Sequence, residues 1–365
     1  MALDGALASI NWPYERRTTT AGPASDASVR YASCRPPHTL PQSVSFVALA
    51  LAKQPHKPHA LARAQPLERE GAPLVRFATV RSGAMAPQKP VVVVTGCTAG
   101  GIGWHLCVAF AAAGCRVFAT ARRVDSMRGL EAHGCTCLAL DVTSEASIKA
   151  AVADVLAQAG RIDVLINNAG RGCAGPLAEV PLEQVKATFD ANVFGLLAVT
   201  QAVVPSMAER RSGTVVHIAS IVGQVATPFA GAYCSTKAAV ISMGDCMRLE
   251  LAPFGVRVVT VCPGAIRSNF GENTAEALDL SAFRLYAPFK AAVAARAKAS
   301  QSAASTPGEE LAARVVRDVL QPTPPALVWV GHMSTLFRIM RWLPLRLRDA
   351  LLTRRFGLER VPTDA

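Results

Sequence analysis

Tyr233 and Lys237 stand four residues apart in Tyr-Cys-Ser-Thr-Lys, a spacing that puts both side chains on one face of a helix. A lysine ammonium beside a phenol favours the phenolate and lowers the tyrosine's pKa from about 10 toward working pH. A tyrosine tuned in this way can give a proton to a carbonyl oxygen or take one from an alcohol. The same pair also arises by chance on solvated helix faces. Its meaning therefore depends on a nucleotide site and a scaffold that holds both side chains.

A second cluster reads Thr95-Gly-Cys-Thr-Ala-Gly-Gly-Ile-Gly103 and falls between a β-branched run and a helical one. Glycines at such a junction allow a tight turn and a close approach to a pyrophosphate, which rests on the helix N-terminus. Gly96, Thr98, Gly101, Ile102 and Gly103 are therefore expected to bind a dinucleotide. At the end of the next strand, a reader of a ribose 2′-hydroxyl is an Asp or Glu. This chain has Arg122 and Arg123 there, with no acid before Asp125. Fork-shaped guanidinium donors suit a 2′-phosphate, so NADP(H) is expected over NAD(H); solvated loop charges are the competing reading. Asp141, just past the third strand, can accept from the adenine amine. Asn168, Ala169 and Gly170 follow the fourth strand, where small residues let the backbone pass the adenosine ribose.

The elements that must position these groups are legible as alternation. Apolar, β-branched strands are predicted at 91–95, 115–120, 137–140, 163–166, 214–219, 256–261 and 326–330. Helices are predicted at 104–113, 144–158, 182–209, 232–252 and 309–320. Bare apolar strands are buried on both faces. Their alternation with helices means βαβ units. The expected fold is α/β, a single doubly wound parallel sheet of about seven strands with helices on both faces.

Composition is compatible with that. The chain has 365 residues, 51% hydrophobic and 18% charged, which excludes wholesale disorder. Net charge is +12. A nucleic-acid surface needs basic residues interleaved with aromatics, and the core has none, so nucleic acid is not an expected partner. Ten cysteines, most of them in apolar runs (Cys107, Cys115, Cys246, Cys262), read as small hydrophobes in a reducing compartment. No Cys/His spacing suits zinc, and no metal is expected.

Residues 1–84 differ. They are rich in Ala, Ser, Pro and Arg, with ten basic residues against five acidic. Such composition matches an organelle transit peptide, chloroplast ahead of mitochondrion. The alternative is that Met85 is the true start, which leaves the cytoplasm or the surface of the endoplasmic reticulum or a lipid droplet. The nine-residue apolar run at 44–52 is too short to span a bilayer.

The glycine turn, Asn-Asn-Ala-Gly, Ser220, Tyr-x-x-x-Lys and Pro263-Gly264 occur in an order that resembles the short-chain dehydrogenase/reductase family. Four residues separate Gly96 from Gly101, one more than the common family turn carries. The lengthened turn resembles that of a subgroup with 1-acyldihydroxyacetone-phosphate reductases and relatives of hydroxysteroid dehydrogenases. The resemblance implies a Rossmann domain over 85–333. It implies that Ser220, thirteen residues before Tyr233, orients a substrate carbonyl, and that Lys237 also bonds the nicotinamide ribose. Asn192 would bend its helix and link Lys237 to solvent through a carbonyl-held water. Pro263, Gly264 and Ile266 would close over the nicotinamide, and the helices holding Asn192 and Tyr233 would pair copies into a homo-oligomer. The reaction implied is reduction of a ketone by NADPH.

The substrate is less sharply written. A lid at 269–305 carries Phe270, Leu278, Leu280, Phe283, Leu285, Tyr286 and Phe289, which suggests a lipophilic ligand or simple packing on the sheet. Arg267 and Arg284 are candidate phosphate partners. The tail, 334–365, mixes leucines and Trp342 with arginines over 335–355 and is broken by Pro344, as in helices that lie on anionic membranes. A dimer contact or a core cap is the alternative for that stretch. The leading expectation is 1-acyldihydroxyacetone phosphate reduced to 1-acylglycerol 3-phosphate. A hydroxysteroid or retinol-type dehydrogenase and a non-catalytic NADPH sensor are the alternatives.

Overall fold

The computed structural model describes residues 88–359. The expected leader at 1–84 and the last residues of the tail lie outside them. Seven parallel strands form one sheet: β1 (Val91–Thr95), β2 (Arg116–Ala121), β3 (Thr136–Ala139), β4 (Val164–Asn167), β5 (Gly213–Ile218), β6 (Val256–Pro263) and β7 (Leu327–Val330), in the order β3-β2-β1-β4-β5-β6-β7. Every residue of β1, β4 and β5 is buried, because helices cover both faces. On one face α1 (Ile102–Ala112) and α8 (Gly308–Val319) bury Leu106, Phe110, Leu311 and Val315. On the other, α2 (Glu145–Ala159) and α4 (Gly195–Glu209) bury Ile148, Val155, Val199 and Met207. Each such side chain contributes about 1.5–3 kcal/mol relative to exposure. The chain winds one way from β1 and then the other, so β1 and β4 flank a crevice at their carboxyl ends, the usual place for a dinucleotide.

Local signals set the ends of elements. Ser144 caps α2 by accepting from the Ser147 amide at 3.3 Å, and Gly160 (φ 72°) stops it. The single helix expected over 182–209 is two, α3 (Leu182–Phe189) and α4, joined by a π turn at Asp190–Phe194. Cys246 is exposed rather than core filler, because it falls on the outer face of α5 (Gly231–Glu250).

His217 in β5 is fully buried, with its Nδ1 3.3 Å from the Asn167 amide nitrogen. Burial first, then the charge of Lys237, pushes its pKa down to about 4. The unfolded imidazole titrates near 6.5. Stability from this neutral histidine is therefore complete above about pH 6.5 and is lost as pH falls toward 4, by about 3 kcal/mol in all. Its NMR resonance is expected to stay in the neutral position down to about pH 5, two units below where a histidine exposed at pH 7 begins to charge. A midpoint near 6.5 would contradict the burial argument.

Candidate active site

One cavity of about 2020 Å³ opens at the carboxyl ends of the strands. A single small-molecule pocket holds at most about 1,000 Å³, so this one has room for a dinucleotide and a second ligand. Fifteen of the expected site residues line it: Gly96, Thr98, Gly101, Ile102, Arg122, Asp141, Asn168, Ala169, Gly170, Ser220, Tyr233, Lys237, Pro263, Gly264 and Ile266.

Three expected residues do not. Gly103 sits behind the turn, where an added Cβ would lie 2.4 Å from the Gly96 carbonyl oxygen; its lack of a side chain lets α1 pack against the turn. Arg123 is exposed and stands before a short turn at Val124–Met127, its carbonyl accepting from Ser126, so only Arg122 of the pair faces the cavity. Asn192 is fully buried in the π turn.

What Asn192 does is clear from its bonds. Its Oδ1 accepts from the Arg171 amide at 2.7 Å, and its Nδ2 donates to the Arg171 carbonyl and to Thr236 Oγ1, both at 3.0 Å. Thr236 in turn donates to the Tyr233 carbonyl at 2.8 Å. The widened π turn thus delivers an amide that ties the β4 loop to α5 (Gly231–Glu250), the helix of Tyr233 and Lys237. Thr236 had no sequence signal beyond lying inside the Tyr-x-x-x-Lys motif.

The dinucleotide cradle is equally cross-braced. Thr95 Oγ1 accepts from the Asn168 and Ala169 amides, both at 3.0 Å, and Asn168 Nδ2 donates to the Thr95 carbonyl at 2.8 Å. Gly100, the additional turn residue, takes φ 74°, and a Cβ there would meet Asn269 Oδ1 at 2.6 Å. Asn269 opens α6 (Asn269–Glu276) and donates to the Ala99 carbonyl at 2.6 Å, so the lengthened turn is clasped by the first residue of the lid. Thr143, through its amide and hydroxyl, and then Arg122 hold the Asp141 carboxyl below its usual range.

Tyr233, Ser220 and Lys237 meet at the floor. The phenol opens onto the cavity, yet the protein around it raises its pKa through desolvation; Ser220 beside it pulls the other way. The expected lowering by Lys237 is therefore not what dominates. Lys237 Nζ donates to the Ile218 carbonyl at 2.8 Å and lies 5.7 Å from the Tyr233 ring centre. Burial lowers the lysine's own pKa to about 8. A neutral phenol is a proton donor, and a lysine near 8 can exchange protons at physiological pH.

The lid differs from expectation. Phe270 lines the cavity with its ring 5.3 Å from that of Tyr233. Phe283, Leu278, Leu280, Tyr286 and Phe289 instead form a small core with Phe229 and Val293, and Leu285 is exposed. Phe229, at φ 59°, lies in a region that costs a bulky residue about 1–3 kcal/mol. Aromatic contacts at 6.1–6.4 Å to Tyr286, Phe289 and Phe356 offset that cost. Neither Arg267 nor Arg284 faces the cavity: Arg267 donates to the Ala303 carbonyl at 3.2 Å, and the Arg284 amide bonds Glu179. The basic tail folds as α9 (Ser334–Met340) and α10 (Leu345–Phe356), and their Leu336, Phe337, Met340, Leu351, Leu352, Arg355 and Phe356 form a wall of the same cavity.

A strand-end serine, a tyrosine–lysine helix and a glycine turn around one crevice define a nucleotide-dependent oxidoreductase. The chain belongs to the short-chain dehydrogenase family, whose profile matches residues 90–279. It is 35% identical over 280 residues to a short-chain dehydrogenase/reductase of Pestalotiopsis microspora, covering 76% of this chain and 97% of that one. It is 31% identical over 268 residues to the NADPH-dependent 1-acyldihydroxyacetone phosphate reductase of Schizosaccharomyces pombe, covering 70% and 90%. A solved short-chain dehydrogenase from Streptomyces avermitilis superposes with a TM-score of 0.62 at 29% identity, over 75% of this chain and all of that one. A serine dehydrogenase solved with NADP+ gives 0.59 at 26% identity, over 67% and 95%.

Proposed function

We propose that this protein uses NADPH to reduce a lipophilic ketone, and that the ketone is 1-acyldihydroxyacetone phosphate. One observation carries the reading. A single cavity runs from Ser220, Tyr233 and Lys237 to a wall of α9 and α10 that is apolar except for Arg355. An acyl chain against that wall gains about 0.8 kcal/mol per buried CH₂. The S. pombe relative, named for this substrate and cofactor, supports the same assignment.

NADPH supplies a hydride to the carbonyl carbon when bound. Ser220 orients the carbonyl oxygen, and Tyr233 gives it the phenolic proton. Lys237, whose pKa is lowered to about 8, is the nearby group that can resupply that proton, without direct contact to the phenol. Loss of NADPH absorbance with palmitoyl-dihydroxyacetone phosphate, a steroid ketone and retinal tests the substrate. The acyl ketone is expected to give the highest kcat/KM; preference for steroid or retinal would refute the lipid reading.

The tail is proposed to lie on an anionic lipid surface, the source of such a substrate. Trp342 is 78% exposed and Ile339 57%, at the outer side of the cavity wall. Arg338, Arg341, Arg346, Arg348, Arg354 and Arg355 face only one acid, Asp349, within these helices. Each arginine near an anionic membrane contributes about 1 kcal/mol. Sedimentation with phosphatidylserine-containing vesicles is expected, reversed by salt and weakened several-fold by Trp342→Ala. Equal recovery in the supernatant with anionic and neutral vesicles would rule the contact out.

A further inference from the structure

Arg296, on α7 (Lys290–Ala297) of the lid, lines the cavity beside the catalytic tyrosine. Its Nε and Nη2 both donate to one acceptor, Thr227 Oγ1, at 3.2 and 3.1 Å. Thr227 is buried, and its hydroxyl lies 3.9 Å from the sulfur of Cys234, the residue next to Tyr233. A guanidinium carries five N–H donors and is always charged. Two of the five are used, and both point at a neutral hydroxyl. Among the described residues no carboxylate pairs with Arg296. A half-buried cation without a counter-ion is costly unless something else supplies the negative charge. Burial pulls its pKa down, while Cys234 and Tyr233 favour the charged form.

Its place in the cavity says what that something is. The pyrophosphate cradle, Gly96 to Ile102, follows β1 at the switch point of the sheet. Arg296 comes from the lid and stands by the residues that act on the ketone. Ala292, Ala295, Phe337, Met340 and Phe356 line the same cavity, and Ala292 and Phe356 share one apolar cluster. A ligand that meets Tyr233, a cation and an apolar wall has a ketone, an anionic headgroup and a hydrocarbon chain.

We propose that Arg296 is a specificity-determining residue that binds the phosphate monoester of the substrate, with Thr227 fixing the guanidinium for that contact. This rests on the acyl-ketone reading above for the identity of the ligand. The cationic group and its position stand apart from it. The expected contact is a charge-assisted, two-point hydrogen bond to phosphate oxygens. Arg296→Lys keeps the charge but loses the planar fork, so it should recover only part of the effect.

Two measurements separate the claims. In the first, wild type and Arg296→Gln are compared on palmitoyl-dihydroxyacetone phosphate and on its dephosphorylated counterpart, palmitoyl-dihydroxyacetone. The variant is expected to raise KM for the phosphorylated ketone by about ten- to a hundredfold and to leave the KM of the neutral ketone little changed, while any change in kcat from losing a charge near Tyr233 is common to both ketones. In the second, calorimetric titration of the NADP+-loaded enzyme with 1-palmitoylglycerol 3-phosphate and with 1-palmitoylglycerol reads binding without turnover. Wild type should bind the phosphate tighter, Arg296→Gln should lose that preference, and Arg296→Lys should restore part of it. Retained preference in Arg296→Gln overturns the proposal. So does equal weakening of both ligands, or a matching loss of NADPH affinity, each of which would make Arg296 structural or a cofactor residue. A phosphate preference in the titration with no turnover of either ketone would sink the substrate reading and leave the anion site standing.

Discussion

Tyr233→Phe is expected to lower kcat for ketone reduction by about 10²–10⁴-fold and to leave NADPH binding nearly unchanged. The substitution removes one oxygen and keeps the ring, so the stacking partner Phe270 at 5.3 Å keeps its contact. The backbone of α5 is held from Thr236, whose hydroxyl bonds the Tyr233 carbonyl and not its side chain. What disappears is the proton donor. Ser220 does not replace it, because an aliphatic hydroxyl is a weaker acid than a phenol, and Lys237 Nζ is turned to the Ile218 carbonyl. Steady-state rates together with fluorescence titration of NADPH check this. Residual activity above about a hundredth of wild type would remove Tyr233 from the role of general acid.

Arg122→Ala is expected to weaken NADPH binding by about ten- to a hundredfold while leaving NADH binding within a factor of about three, because a charge-assisted bond to a phosphate is worth roughly 1.5–3 kcal/mol. Two features of the site set the sign. Both arginines are exposed, but Arg122 is the one of the pair that lines the cavity. Its neighbour Asp141 keeps a lowered pKa even without it, because Thr143 donates to the carboxylate through both its amide and its hydroxyl, at 2.9 and 2.7 Å. With the guanidinium gone, a carboxylate remains at that end of the cavity and disfavours a 2′-phosphate more than a 2′-hydroxyl. Dissociation constants for both cofactors decide the matter. Equal weakening of NADPH and NADH would mean that Arg122 shapes the turn instead of reading the phosphate.

The parts of this site that were legible in the sequence are those with short-range signatures. The β-branched run at β1, the glycine turn after it and the four-residue spacing of Tyr233 and Lys237 each report local geometry. Strand positions followed from burial on both faces, with most ends displaced by one residue, as at Cys115, whose amide bonds Phe110, and with β6 running two residues past its expected end to Pro263. At Asp190–Phe194 the residues themselves suit an α-helix, so the break was implied only by the resemblance through Asn192, and its form as a π turn and the bonds to Arg171 and Thr236 are tertiary. The direction of the tyrosine's pKa shift was not legible either. Spacing gives which face a lysine shares, not whether its Nζ turns to the phenol or to a strand carbonyl, and desolvation outweighs an attraction made at a distance. Arg296 and the tail were beyond sequence reading because their meaning is tertiary. Arg267 and Arg284 had the same residue type and the same lid, and only the path of the chain tells which one faces the cavity.

Hydride delivery to a ketone carbon above Tyr233 can be read directly from isotope position. NADPH deuterated at C4 on one face, then on the other, is supplied with palmitoyl-dihydroxyacetone phosphate, and the product is analysed by mass spectrometry and NMR. One of the two labelled cofactors is expected to place deuterium on the carbinol carbon of 1-palmitoylglycerol 3-phosphate, with none entering that carbon from deuterated water. Product without label from either cofactor, or with solvent deuterium at that carbon, would contradict direct hydride transfer in this site.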